Sequence, residues 1–335
     1  MPELRLNLAT REWIVYATER ARRPEDFRPD ERRHRSRALH SLTCPFCPGN
    51  EDLTERSMLL LPGDDGWAVR VVPNKFPALA DHETSRRWST GAFRKQAGFG
   101  YHEVVVEHRR HDLSLALMSE HEVDDVLLAY RIRASKLQAD PRVGYVVIFK
   151  NHGPAAGCSQ EHPHSQIVAT PVVPEQIRNR VATAVAFYDD NGECVYCHLL
   201  REELEAGERI VLENEAFVAY VPFAAYSPFH IWICPKRHTA SFSELTDGEL
   251  PLLARTLRTI LFKIHGGLND PDYNLAIRSV PESARGCQYY HWYLSVVPRV
   301  TSIAGFELGS GMYINTALPE ESARFLREQA GPTEP

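Results

Sequence analysis

The sequence predicts an α+β fold: two copies of an antiparallel-sheet module with helices packed on it, fused side by side. Three observations lead there. A C-x-x-C pair occurs twice, as Cys44/Cys47 and as Cys194/Cys197. Each pair opens the same succession: strand, proline-aromatic segment, strand, histidine, helix, strand, and a last strand headed by histidine. The interval from His111 to His162 nearly equals that from His238 to His291. Self-similarity of this length points to an internal duplication. The expected division is an N-terminal unit, residues 1–175, which carries the chemistry, and a C-terminal unit, residues 176–335, which has lost it.

The elements follow in order. Leu4 to Tyr16 holds one or two short strands. Arg20-Ala21-Arg22-Arg23-Pro24 places three arginines before a proline, a set able to hold phosphate by forked hydrogen bonds. Residues 28–41 are rich in arginine and histidine and read as a surface segment. Thr43-Cys44-Pro45-Phe46-Cys47-Pro48-Gly49-Asn50 is a tight knuckle in which both thiols can face one ion. A strand at 67–72 leads into Pro73-Asn74-Lys75-Phe76-Pro77. Residues 81–98 are polar and irregular. A strand at 103–107 ends near His108 and His111, and residues 119–138 have helical spacing. A strand at 143–149 runs into Gly153-Pro154-Ala155-Ala156-Gly157, where backbone can approach a ligand.

The second pass opens after residues 174–190. It has strands at 215–222 and 229–234, Pro235-Lys236-Arg237-His238, a helix over 246–265, a strand at 273–278 and the stretch His291 to Val297. A helix near 319–329 closes the chain.

Composition bounds the function. The chain has 335 residues, 43% hydrophobic and 24% charged, which is ordinary for a globular protein. A net charge of −6 offers no basic field to nucleic acid. No apolar run approaches the roughly 20 residues that span a bilayer. The N-terminus lacks the apolar core of a signal peptide, so a cytoplasmic protein is expected. The seven cysteines are an odd number. In that compartment C-x-x-C pairs read as metal or redox sites before disulfides.

The most informative stretch is Glu161-His162-Pro163-His164-Ser165-Gln166, followed by the apolar run Ile167-Val168-Ala169. Residues i and i+2 of a strand share a face, so both imidazoles can point one way. Pro163 suits a strand end, because it has no N–H to donate. The duplication sorts these histidines. Aligning His162 with His291 sets His164 opposite Tyr293 and Gln166 opposite Ser295. Both halves keep a C-x-x-C and two separated histidines, a closed tetrahedral set for structural zinc. The first set is Cys44, Cys47, His111 and His162; the second is Cys194, Cys197, His238 and His291. His108 competes with His111, whose spacing repeats. His164 is left over and is free for chemistry.

These residues resemble the galactose-1-phosphate uridylyltransferase family of the histidine-triad superfamily. The resemblance runs from the arginines at 20–23 to Gly309-Ser310-Gly311-Met312-Tyr313-Ile314-Asn315. Its most specific part is His-Pro-His-x-Gln after Asn151-His152-Gly153. It implies duplicated histidine-triad-like modules. It also implies that His164 attacks the α-phosphate of a nucleotide sugar and forms a covalent nucleotidyl-histidine. Gln166 would hold phosphate oxygens and His162 would bind zinc. Arg20 and Arg23 would clamp phosphate. Asn74, Asn151, Gly157, Ser159 and Ser165 complete the expected substrate-binding set. The family also implies a homodimer.

His291-Trp292-Tyr293-Leu294-Ser295-Val296-Val297 lacks the later histidines of the best-known bacterial form, while Cys194 and Cys197 are present. That pattern looks like the plant-type branch with two zinc sites and ADP-glucose phosphorylase activity. Gly98-Phe99-Gly100-Tyr101-His102 and Gly305-Phe306-Glu307-Leu308-Gly309 also resemble that branch. The expected reaction is uridylyl transfer from UDP-glucose to galactose 1-phosphate. Adenylyl transfer from ADP-glucose to phosphate is the alternative. A dinucleoside polyphosphate hydrolase and a non-enzymatic zinc-braced nucleotide-binding module rank behind them.

Overall fold

A single antiparallel sheet of ten strands runs through the molecule. The computed structural model describes residues 1–17, 24–27 and 38–332. Its elements in the first half are β1 (Glu3–Leu6), β2 (Trp13–Tyr16), β3 (Leu59–Gly63), β4 (Gly66–Pro73), β5 (Arg87–Thr90), β6 (Phe93–Gln96), β7 (Tyr101–Val106), α1 (Glu120–Gln138), β8 (Tyr145–His152) and β9 (His164–Thr170). Then come α2 (Glu175–Asn191), α3 (Val195–Ala206), β10 (Ile210–Glu213), β11 (Phe217–Tyr220), β12 (Ile231–Pro235), α4 (Leu250–Gly267), β13 (Tyr273–Arg278), β14 (Tyr293–Pro298), α5 (Gly305–Ser310), β15 (Tyr313–Asn315) and α6 (Pro319–Glu328).

The strand order is β10-β11-β12-β14-β13-β8-β9-β7-β4-β3. Read outward from the central β13–β8 pair, the two sides match strand for strand. β8 corresponds to β13, β9 to β14, β7 to β12, β4 to β11 and β3 to β10. The halves therefore meet through backbone hydrogen bonds: Tyr273 pairs with His152, Asn274 with Asn151 and Ile277 with Ile148. A smaller sheet, β1-β2-β15, lies apart from it, with β15 parallel to β2.

Alternation along the strands divides their side chains between two faces. One face packs on α1 and α4. Val105, Ile148, Ile167, Leu275 and Leu294 meet Val126, Leu127, Leu257 and Leu261 there in the main core. The other face carries the first C-x-x-C knuckle over Val72, Val104 and Val106. It also carries α2 and α3 over Val218, Tyr220, Trp232 and Tyr293. Helix α1 begins where its sequence allows. Ser119 Oγ accepts from Glu122 N, and Glu122 Oε2 accepts from Ser119 N, a reciprocal cap. None of the helices among the described residues is long and apolar enough to cross a membrane.

Two local expectations change. Residues 81–98 contain a hairpin, β5 paired with β6. Both strands are largely exposed, so no apolar alternation marks them. The second C-x-x-C is not a copy of the first knuckle. Cys194 is the N-cap of α3 and Cys197 lies in its first turn, whereas the first pair spans a turn.

An ionic layer is buried between the sheet and α1. Lys150 Nζ stands 2.6 Å from Glu107 Oε2, with both side chains nearly sealed from solvent. Lys150 also donates to the His164 carbonyl at 3.0 Å. Tyr130 and Ser165 bond to Glu107, and Arg133 forks onto Glu103. This layer fixes the backbone of β9 where the candidate nucleophile begins. Lys150→Met leaves the Glu107 carboxylate buried with hydroxyl donors but without its cationic partner. It is expected to lower unfolding free energy by about 3–5 kcal/mol, read by urea denaturation.

Candidate active site and metal clusters

Cys44, Cys47, His111 and His162 come together. Their four ligand atoms lie within 4.8 Å of one another and all four residues are buried. Cys47 Sγ is 3.5 Å from Nδ1 of both His111 and His162. His162 Nε2 donates to the His108 carbonyl at 2.8 Å, which leaves Nδ1 as the lone-pair nitrogen facing the thiols. Burial holds the His162 pKa down at about 3, so the ring is neutral. His108 itself turns away. Its Nε2 meets Glu122 at 2.9 Å and its Nδ1 accepts from Arg110 N.

The second half repeats the pattern. Ligand atoms of Cys194, Cys197 and His238 lie within 4.8 Å of one another. Cys197 Sγ is 3.2 Å from His238 Nδ1 and 3.3 Å from His291 Nδ1. His238 Nε2 donates to the Cys287 carbonyl at 3.1 Å, again turning Nδ1 to the sulfur. A tetrahedral zinc with ordinary Zn–S and Zn–N bonds sets its ligands roughly 3.3–3.8 Å apart. The sulfur-to-nitrogen spacings of Cys47 and Cys197 are close to that, and two cysteines with two histidines are a donor set that zinc takes. The first cluster is a complete four-ligand set; in the second, three ligand atoms converge and His291 Nδ1 adjoins Cys197 Sγ.

The candidate nucleophile stands beside the first cluster and outside it. His164 opens β9, is 8% exposed and packs on Phe46 of the knuckle. Its Nδ1 donates to the His162 carbonyl at 2.9 Å. With Nδ1 committed, Nε2 is the nitrogen left for chemistry. Burial, and then the Lys150 charge, lowers the His164 pKa and favours the neutral ring. The ring lines a cavity of 580 Å³ together with Asn151, Gly153, Ser159 and His162. A larger cavity, 710 Å³, lies by Trp67, Arg109 and Glu122 and does not include His164.

The glycine loop in that cavity wall is clamped from the other half. Ala155 N donates to Asp272 Oδ2 at 2.5 Å. Gly153 has φ +81°, and a Cβ there would lie 2.0 Å from Asp272 Oδ1. Asn274 Nδ2 donates to Asn151 Oδ1 at 2.8 Å and to the Ala156 carbonyl at 2.9 Å. The expected substrate residues Asn151, Gly157 and Ser159 therefore sit on, or at the edge of, a loop held in place by β13 and the turn before it.

Gln166 lies on the same face as His164, two residues along β9. Here the structure adds a residue that the sequence reading passed over. His102 Nδ1 accepts from Ala78 N at 3.1 Å, so the neutral ring carries its proton on Nε2. That proton goes to Gln166 Oε1 at 2.7 Å. With its oxygen taken, Gln166 presents its amide N–H groups outward, and they have no other partner among the described residues. Asn74 packs on His102 Nε2 at 3.1 Å, so Asn74 reaches Gln166 only through that ring. His102 was legible as a polar residue on the face that Val104 and Val106 share, but nothing in the sequence paired it with Gln166.

Ser165 is a correction. Its side chain is 1% exposed and points to the helical face, onto Glu107 and Tyr130. The strand period that turns His164 and Gln166 toward the cavity turns Ser165 away. Arg20 and Arg23 lie outside the described residues.

Comparison with known proteins places the chain. Residues 1–174 match the family model of the galactose-1-phosphate uridyl transferase N-terminal domain, and residues 181–330 that of its C-terminal domain. The chain is 36% identical to an ADP-glucose phosphorylase of Arabidopsis thaliana over 332 residues, 98% of this chain and 93% of that one. It is 30% identical to a galactose-1-phosphate uridylyltransferase of Thermotoga maritima over 338 residues, 98% of each. A crystal structure of an Arabidopsis thaliana ADP-glucose phosphorylase with bound ADP-glucose superposes with a TM-score of 0.85 at 34% identity, covering 98% of this chain and 99% of that one. A uridylyltransferase structure superposes with a TM-score of 0.76 at 27% identity, covering 98% and 97%. The chain belongs to the galactose-1-phosphate uridyl transferase family, a family of nucleotidyltransferases.

The clamp on the glycine loop can be tested by stability. Gly192, at φ +73°, has open space around it, so Gly192→Ala should cost only the left-handed penalty of roughly 1–2 kcal/mol. Gly153→Ala must also displace the Asp272 carboxylate and should cost clearly more. Equal losses in chemical denaturation would mean that Asp272 yields freely.

Proposed function

We propose that the chain moves a nucleoside monophosphate from a nucleotide sugar to a phosphate-bearing acceptor through a covalent nucleotide on His164. The observation behind this reading is the tautomer of that ring. Nδ1 is held by a carbonyl two residues back, the ring is buried and neutral, and Nε2 borders a cavity. The Nε2 lone pair would attack the α-phosphorus. The bond from phosphorus to the bridging oxygen breaks, and a sugar phosphate leaves. The acceptor's phosphate oxygen then displaces the imidazole, which is a good leaving group. Gln166, oriented by His102, would donate to the transferred phosphoryl oxygens. Loop amides and the arginines at 20 and 23 would offset its charge.

Two versions of the reaction separate on base and acceptor. Uridylyl transfer to galactose 1-phosphate is the activity carried by the family's name and by relatives such as the Thermotoga maritima protein. Adenylyl transfer from ADP-glucose to phosphate is favoured by the higher identity to the Arabidopsis thaliana protein over nearly the whole chain. In either version two structural zinc ions per chain brace the knuckle and α3 and do not touch substrate. The same reading includes a homodimer and a cytoplasmic location.

Incubation with UDP-glucose and with ADP-glucose, followed by intact-mass measurement, tests the chemistry. One of the two should add a nucleoside monophosphate, acid-labile and absent from His164→Gly. Kinetics should be ping-pong. A chain that never gains nucleotide mass from any nucleotide sugar would overturn the covalent route. Elemental analysis of protein purified without added metal is expected to give about two zinc per chain, one for each four-ligand set. Iron or no metal would contradict the zinc assignment.

A further inference from the structure

The matched halves give each residue of the candidate site a counterpart. On β9, His164 pairs with Val106 and Gln166 with Val104, while His102 lies two positions further along β7. On β14, Ser295 pairs with Trp232, and His230 lies two positions further back. Arg278 pairs with Tyr293, as Asn151 stands beside His164 two positions beyond the Phe149–Gln166 pair. So Tyr293 replaces His164, Ser295 replaces Gln166, His230 replaces His102 and Arg278 replaces Asn151. Even the internal bond is kept: His230 Nε2 lies 2.9 Å from Ser295 Oγ.

This second face has no nucleophile. It has unmatched donors instead. Arg180, reaching in from α2, is buried and gives Nη1 to Tyr293 OH at 2.6 Å, but its Nε is sealed without a partner. Arg278 Nε is sealed in the same way. Trp232 Nε1 donates to His230 Nε2 at 3.1 Å, so the neutral His230 ring carries its proton on Nδ1. That buried N–H is unpartnered too. Burial, and then the charges of Arg180 and Arg278, hold the His230 pKa down at about 3. Arg278 stands beside Tyr293, which Arg180 bonds, on the face that Ser295 and His230 share. The field of Glu12 reaches Arg180, but among the described residues neither arginine is in an ion pair.

These three orphans are nitrogen donors; the neighbouring Tyr196 and Tyr290 hydroxyls are also sealed without a partner and can turn either way. Two of the three nitrogens belong to permanent cations; Arg180 is buried, Arg278 is partly buried, and burying a cation without a counterion is strongly unfavourable. A tetrahedral oxyanion offers acceptors only and suits guanidinium forks. We propose that this face of the second half binds a phosphate-type oxyanion between Arg180, Arg278 and His230. The ligand is inorganic phosphate or the phosphate of a phosphomonoester. The site lies three strands from His164 and uses none of the residues assigned to transfer.

Equilibrium dialysis with radiolabelled inorganic phosphate tests it. Wild type should bind a saturable equivalent that Gln166→Ala retains and that Arg278→Met weakens at least about tenfold. Arg278 is only partly buried, so Arg278→Met should fold where Arg180→Met is at greater risk; circular dichroism checks this. Displacement of that equivalent by glucose 1-phosphate would assign the site to phosphomonoesters, and failure to displace it to inorganic phosphate. Wild type and Arg278→Met binding phosphate alike, or wild type binding none, would overturn the site and leave the orphan donors to buried water.

Discussion

The backbone seam between β8 and β13 is the constraint on which the rest of the molecule depends. It joins the halves by main-chain hydrogen bonds, so their relative register is fixed: a slip of one residue would turn every side chain to the wrong face. With Asn274 opposite Asn151, Asp272 and Asn274 reach the glycine loop, and Asn274 reaches Asn151. The second half thus supplies Asp270 and Asp272 to the wall of the cavity that His164 lines. The seam also puts both polar faces on one side of a continuous sheet, leaving the other side to α1 and α4.

Within that frame one short stretch divides its work. His162 turns Nδ1 to the thiols because the His108 carbonyl holds Nε2. His164 keeps Nε2 for the cavity because the His162 carbonyl holds Nδ1. Opposite tautomers on neighbouring rings follow from two carbonyls. Pro163, which has no N–H, separates them. Beneath, the Glu107–Lys150 pair grips the His164 carbonyl from the helical side. His164 is therefore braced from both faces of the sheet.

Much of this was legible in the sequence, because the duplication supplied a comparison that a single chain seldom offers. The periodic strands, α1, α4 and the convergence of Cys44, Cys47, His111 and His162 all follow from spacing. What was not legible depends on contacts between distant elements. Nothing local marks Ser165 as facing the helices, since serine suits either face; only the register with His164 decides it. His102 gains its role from Ala78 N and Gln166, which lie far apart in the chain. The β5–β6 hairpin is exposed on both faces, so it lacks the alternation that burial imposes. The second C-x-x-C repeats the first in chemistry but opens a helix, because Cys194 is followed by helix-forming residues rather than by Pro45 and a turn.

The division of labour between His162 and His164 is the central claim, and metal content of the two single variants tests it most directly. His162→Gly should lose one metal equivalent, because it removes an imidazole from the first cluster. His164→Gly should retain the full wild-type metal content, because that ring stands beside the cluster and outside it. Loss of metal from His164→Gly, with His162→Gly unaffected, would contradict the assignment and exchange the two roles.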